Sequence, residues 1–167
     1  MKLFLERELE EVLEGVNERA SCGRLCVYLQ QCALDAGLTK YVADTEYNRK
    51  QDGKVKTILD DEYNEVTINC DLILHSRGKL VAEDNLIAIE MKKVGRRATE
   101  RKKDQNRLRA LTKSSYDGVW SADEIAHPEH VCGYVLGVFV EFDRRKRTCL
   151  LEYYAKGEKI EECVVGF

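Results

Sequence analysis

A chain of 167 residues and 19.2 kDa, 44% apolar and 34% charged, is long enough to bury one core and too mixed for a disordered tract or a fibrous repeat. No apolar run reaches the roughly 18 residues of a membrane-crossing helix, and the opening Met-Lys-Leu-Phe-Leu-Glu-Arg-Glu turns acidic too early for a secretory leader. The expectation is therefore a single domain over 1–167, cytoplasmic and without a membrane partner. The formal net charge of −3 hides an asymmetry: between Lys92 and Arg109 nine basic residues meet two acids, a balance of 9 − 2 = +7, leaving −3 − 7 = −10 elsewhere. A basic segment on an acidic protein predicts a local phosphate-binding surface, the alternative being a solvated helix face.

In chain order, Leu5, Leu9, Val12, Leu13 and Val16 recur at helical spacing and predict one amphipathic helix interrupted near Gly15 and Asn17. Asn17 is a candidate N-cap for a second helix, with Cys22, Leu25, Cys26, Leu29 and Ala33 on its buried stripe and Gly37 at its end. Glu18 falls at the start of that stripe, where a carboxylate calls for an explanation. An extended piece from Tyr41 to Tyr47 precedes a turn at Gln51-Asp52-Gly53-Lys54. Val66 to His75 then alternates with period two and predicts a single strand, with Asp71 and Ile73 on the face opposite Leu72 and Leu74. Leu86 to Lys92 predicts the next strand, with Ile87, Ile89 and Met91 on one face and Ala88, Glu90 and Lys92 on the other. The basic segment reads as a helix anchored by Leu108 and Leu111, Ser114 to Glu129 as loop, and Val131 to Phe142 with Thr148 to Ala155 as a hairpin. The seven cysteines are scattered without Cys-x-x-Cys spacing and are expected to be free thiols packed as small hydrophobes.

Asp71 and Glu90-x-Lys92 on consecutive strands place two carboxylates and an amine within reach, since neighbouring strands lie about 4.8 Å apart. Phosphodiester hydrolysis asks for such a set: carboxylates to hold a hard cation, and a cation of the protein's own to position water and offset developing charge. Glu-x-Lys alone is a weak signal in so charged a chain. Its placement within strands otherwise built of Ile, Leu and Met strengthens it, because buried charge is costly unless paired. A purely structural ion pair among the three is the competing explanation. His75 could lie near Asp71, in a supporting role; His127 and His130 read as loop residues.

These residues resemble the PD-(D/E)xK nuclease superfamily, in the segments Asn-Cys-Asp-Leu-Ile-Leu-His75 and Ile-Ala-Ile-Glu-Met-Lys-Lys93. Asn17-Glu18-Arg19 and Glu46-Tyr47-Asn48-Arg49 resemble a short bacterial and phage-associated family within it, and Cys70 stands where the name-giving proline would be. The resemblance covers roughly residues 15–112. It implies an α/β fold of restriction endonuclease-like type, a central mixed sheet flanked by helices. It implies that Asp71, Glu90 and the main-chain carbonyl of Met91 bind Mg2+ or Mn2+, that Lys92 acts on the attacking water, and that Glu18 is an acid beside the metal. Lys93, Arg96, Arg97 and Arg107 are the candidate nucleic-acid contacts, with DNA the expected substrate, RNA and a homodimer left open, and a binding domain without turnover as the alternative.

Overall fold

The computed structural model describes residues 1–46, 57–59, 65–67, 70–80, 83–95, 97–113 and 133–167. Tyr47 to Arg49, the turn at Gln51 to Lys54, Asn69, Arg96, the loop from Ser114 to Glu129 with its His127, and His130 and Cys132 lie outside the described residues. Three helices come first: α1 (Lys2–Arg7), α2 (Leu9–Glu14) and α3 (Glu18–Asp35). The predicted first helix is thus two. It breaks at Glu8, whose carboxylate turns inward to the Tyr28 hydroxyl at 2.7 Å and to Arg24. Gly15 closes α2 at φ +87°, a conformation that favours glycine. Asn17 is the N-cap of α3 as its position predicts, accepting the Ala20 amide at 2.8 Å.

The strands are β1 (Val42–Thr45), β2 (Thr57–Leu59), β3 (Glu65–Thr67), β4 (Leu72–His75), β5 (Asn85–Lys93), β6 (Leu136–Asp143), β7 (Thr148–Ala155) and β8 (Glu158–Gly166). Six form a sheet in the order β1-β4-β5-β6-β7-β8, while β2 and β3 pair separately. All neighbours in the large sheet are antiparallel except β5 and β6, which are parallel. A parallel pair needs a crossover, and it contains α4 (Ala98–Thr112). The result is an α/β mixed sheet flanked by helices, as expected at that level. Among the described residues no helix is long and apolar enough to cross a membrane.

Alternation along the strands divides the core. Leu72, Ile89, Met91, Val138, Val140 and Leu151 face α1–α3, where they meet Phe4, Val12, Cys22 and Leu25. Ile73, Ala88, Phe139 and Tyr154 face α4 and its Leu108 and Leu111. A side chain at Gly137 of β6 would meet Thr112 Cγ2 at 3.1 Å and Leu108 Cβ at 3.4 Å, so its glycine lets α4 sit low on the sheet. That close approach brings the polar residues of α4 down to the charged positions of β5.

The predicted strand from Val66 to His75 is corrected: it is two strands in two different sheets, and Asp71 lies at a bend just before β4, not in mid-strand. The bend breaks the alternation. Cys70 packs with Ile73 on the α4 side, opposite Leu72, whereas an unbroken strand would put Cys70 with Leu72. The predicted hairpin is present as β6 and β7, starting at Leu136, and a third strand that the sequence reading left out, β8, extends it. The turn into β8 is Lys156-Gly157, with φ +53° and +81°, the pair of positive values that a tight hairpin turn requires. The six described cysteines are free, with burial driving the thiols of Cys22 and Cys149 up to about 12.

Candidate active site

The site grows from a mismatch in strand length. Leu72 pairs with Ile89, and there β4 ends, while β5 runs on to Lys93 along β6. Beyond Ile89, the amides of Met91 and Lys93 on this edge of β5 would have no strand to meet. Two carboxylates take them: Asp71 Oδ2 accepts from Met91 N at 2.8 Å, and Glu18 Oε1 accepts from Lys93 N at 3.3 Å. In an extended strand a residue's N–H and C=O point to the same side, so the Met91 carbonyl is directed to the Asp71 edge as well. The bend holding Asp71 is fixed by Glu46 N donating to Asp71 O at 3.3 Å and Cys70 Sγ donating to Ile89 O at 3.3 Å. Glu46 in turn takes both arms of Arg19 at 2.7 Å, tying the start of α3 to this corner through an exposed pair of small energetic weight.

On the α4 face Glu90 and Lys92 stand side by side, and α4 answers both. Arg107 Nη1 donates to Glu90 Oε1 at 2.6 Å and to Asp104 Oδ1 at 3.2 Å. Lys92 Nζ lies 3.4 Å from Asp104 Oδ2 and 4.0 Å from Asp71 Oδ2. Three carboxylates thus face two cations in one seam, with Glu18 at its edge. Glu90 is fully buried, and burial pushes its carboxyl up to about 8 despite Arg107, with Asp71 and Asp104 adding to the rise. Burial works against the Lys92 charge, but Asp71, Asp104, Glu90 and Glu18 outweigh it and raise its ammonium above the ordinary lysine value. Lys92 is therefore a cation at neutral pH.

Asp71, Glu90 and Lys92 share one neighbourhood, and Glu18 borders it. Asp104 was missed, although it stands four residues before Leu108 and seven before Leu111, squarely on the buried stripe of α4. His75 lies at the far end of β4, bonded at 2.9 Å to Asp44 and away from this seam. Of the eight described basic residues in this segment, five have partners within the protein. Lys92 and Arg107 are in the seam; Lys93 donates to the Gly15 and Val16 carbonyls; Arg101 meets Glu141 and Glu152, both at 3.3 Å; and Arg109 lies over Tyr154. Arg97, Lys102 and Lys103 are exposed, and Arg96 lies outside the described residues.

An open cleft of about 760 Å³ lies beside this edge, lined by Asn17, Glu18, Arg19, Lys93 and Gly95 among others. It adjoins the seam through Glu18 and Lys93, and does not lie over Asp71 or Glu90. Among the described residues no group of three or more His, Cys, Asp or Glu side chains is arranged to hold a metal ion. The fit to magnesium is of another kind. Glu90 Oε2 is buried without a hydrogen-bond partner, the donors are all oxygen, and one or two carboxylates completed by water and substrate are the shell that this ion favours. Comparisons of the chain with protein-family models, with curated proteins and with solved structures found no match.

Proposed function

We propose that this protein is a metal-dependent nuclease of the restriction endonuclease-like kind, hydrolysing phosphodiester bonds of DNA. The observation that carries the reading is the seam itself: Asp71, Glu90 and Lys92 converge where β5 outruns β4, with a buried oxygen of Glu90 left without a partner. Magnitudes argue against a purely stabilising role. Leu108 and Leu111, both fully buried, contribute about 1.5–3 kcal/mol each to holding α4, whereas a buried ion-pair ring is often no better than apolar residues of the same volume.

Bound magnesium or manganese would neutralise phosphoryl oxygens and acidify water, held by Asp71, Glu90 and the Met91 carbonyl. The chain's own residues do the rest. Water oxygen bonds to phosphorus as its proton passes to solvent, the bond to the leaving oxygen breaks with that oxygen taking a proton from solvent, and the charge developing on the phosphoryl group meets the Lys92 ammonium. Asp104 and Asp71, 3.4 and 4.0 Å away, hold that ammonium in the seam electrostatically. As a persistent cation Lys92 orients water and stabilises charge; it does not take the water's proton. Glu18 holds the backbone edge at Lys93 and so fixes the strand that bears the other groups.

A second reading, a nucleic-acid-binding domain without turnover, draws on the partners that Asp71 and Glu90 already have in Met91 N and Arg107. Cleavage of labelled duplex DNA, single-stranded DNA and RNA with magnesium, manganese or chelator separates the two. Metal-dependent cutting that vanishes in Asp71→Asn upholds the nuclease; binding with no cutting in any metal favours the second.

For nucleic-acid contacts the exposed cations are the candidates. Lys103 lies one turn before Arg107 on the same flank of α4, and Arg97 precedes the helix. Replacing Arg97 and Lys103 by alanine should reduce the slope of log affinity against log salt by up to about 1.8, near 0.9 for each duplex phosphate contact. An unchanged slope would assign both to the solvated face.

A further inference from the structure

Arg107 stands in the basic segment, yet its geometry is not that of a surface phosphate contact. Its side chain is 22% exposed, and one terminal nitrogen spans Glu90 Oε1 and Asp104 Oδ1. Glu90 Oε2, Asp104 Oδ2 and Arg107 Nε, all in this seam, are buried without a hydrogen-bond partner, although Asp104 Oδ2 has the Lys92 charge nearby. Each group of the seam is thus satisfied on one side only and keeps a buried polar atom that a different partner could meet.

We infer that Arg107 is the resident hydrogen-bond partner of Glu90, that a divalent ion displaces it, and that Asp104 is the acceptor onto which its guanidinium withdraws. This rests on the metal-dependent reading of the site and assigns Arg107 to metal affinity, not to nucleic-acid grip. A guanidinium does not lose its proton in a protein, so it stays positive beside any arriving cation and opposes it at close range. The retreat is short. Asp104 is three residues earlier on the same helix and already within 3.2 Å, so the arginine changes partner without leaving the seam. Arg107 and Asp104 are thus positioning residues: one lowers the affinity for metal, the other makes the exchange feasible.

The test is Mn2+ binding to the full chain without nucleic acid, by calorimetry and by electron paramagnetic resonance of the free ion. Arg107→Gln is expected to bind Mn2+ about tenfold or more tightly than the unaltered protein. Lys103→Gln, which removes an exposed charge one turn away, should change affinity less than about twofold. Asp104→Asn should weaken binding several-fold, and it keeps the inference open to refutation if Arg107→Gln fails to fold. If the unaltered protein binds Mn2+ and Arg107→Gln binds it no better, or Asp104→Asn equally well, this inference is wrong while the metal site stands. If neither the unaltered protein nor Arg107→Gln binds at millimolar Mn2+, the metal site and the inference fall together.

Discussion

Lys92→Met is expected to lower single-turnover cleavage about 100-fold or more while leaving DNA affinity within a small factor, the scale for losing one preorganised charge at the reacting group. Methionine keeps most of the aliphatic stem and removes only the ammonium, so the loss can be read as electrostatic. A structural ion pair predicts another pattern. Removing the amine leaves Asp71 and Asp104 without their shared cation, a loss of about 3–5 kcal/mol when such a pair is buried, less here because Lys92 and Asp71 are 18% and 28% exposed. Activity would then fall only in proportion to the folded fraction. Denaturation midpoints and single-turnover rates measured on one preparation separate the outcomes: a folded variant cutting at the original rate would remove Lys92 from the mechanism.

The parts of this site that alternation and capping can reveal were legible in the sequence. Asn17 as an N-cap and Glu90 with Lys92 on one face of β5 follow from period and spacing. What escaped was set by backbone irregularity and by the partner helix. The bend at Asp71 hides within the run Val66 to His75, because alternation is unbroken in the letters while the chain changes sheets. The resulting parity shift puts Cys70 with Ile73, a fact that only the fold displays. Charge counting makes Asp104 one acid among many bases and obscures what its helical spacing to Leu108 and Leu111 carries. For the same reason the basic segment promised more free cations than it has: Arg107 turns to Glu90 and Asp104, while Arg101 and Arg109 turn to Glu141, Glu152 and Tyr154, which lie 40 or more residues further on. β8 was missed because its side chains are mostly exposed and lack an apolar alternation, yet Lys156-Gly157 was an available turn signal.

The metal-free protein should lose stability as pH rises from about 5.5 to 8.5, and Glu90→Gln should abolish most of that loss. Burial holds the Glu90 carboxyl at about 8 in the folded chain against an ordinary value of 4.5, so between the two the native state keeps a proton that the unfolded chain has released. The sign follows. Fewer protons on the unfolded state means that stability falls with pH, being fully present below 4.5 and lost as pH passes through about 8. At about 1.4 kcal/mol for each pKa unit the upper bound is near 5 kcal/mol, with the opposing pull of Arg107 already contained in the value of about 8. Other groups act elsewhere on the scale. Glu152, where burial is outweighed by hydrogen bonds from Tyr154 and Gln105 and by Lys159 and Arg101, has a lowered carboxyl and costs stability only in acid. The buried thiols contribute only as pH approaches their ordinary value of 9.0. Urea midpoints at several pH values, with chelator present, compare the two proteins. Glutamine mimics the protonated acid, so its curve should be nearly flat where the parent declines by about 2 kcal/mol or more; parallel curves would mean that Glu90 is ionised throughout. Added magnesium should flatten the parent curve, since a cation binds the ionised carboxylate and replaces the proton as its partner. A parent curve that declines equally with and without magnesium would leave Glu90 as a buried acid paired with Arg107 and remove it from the metal site.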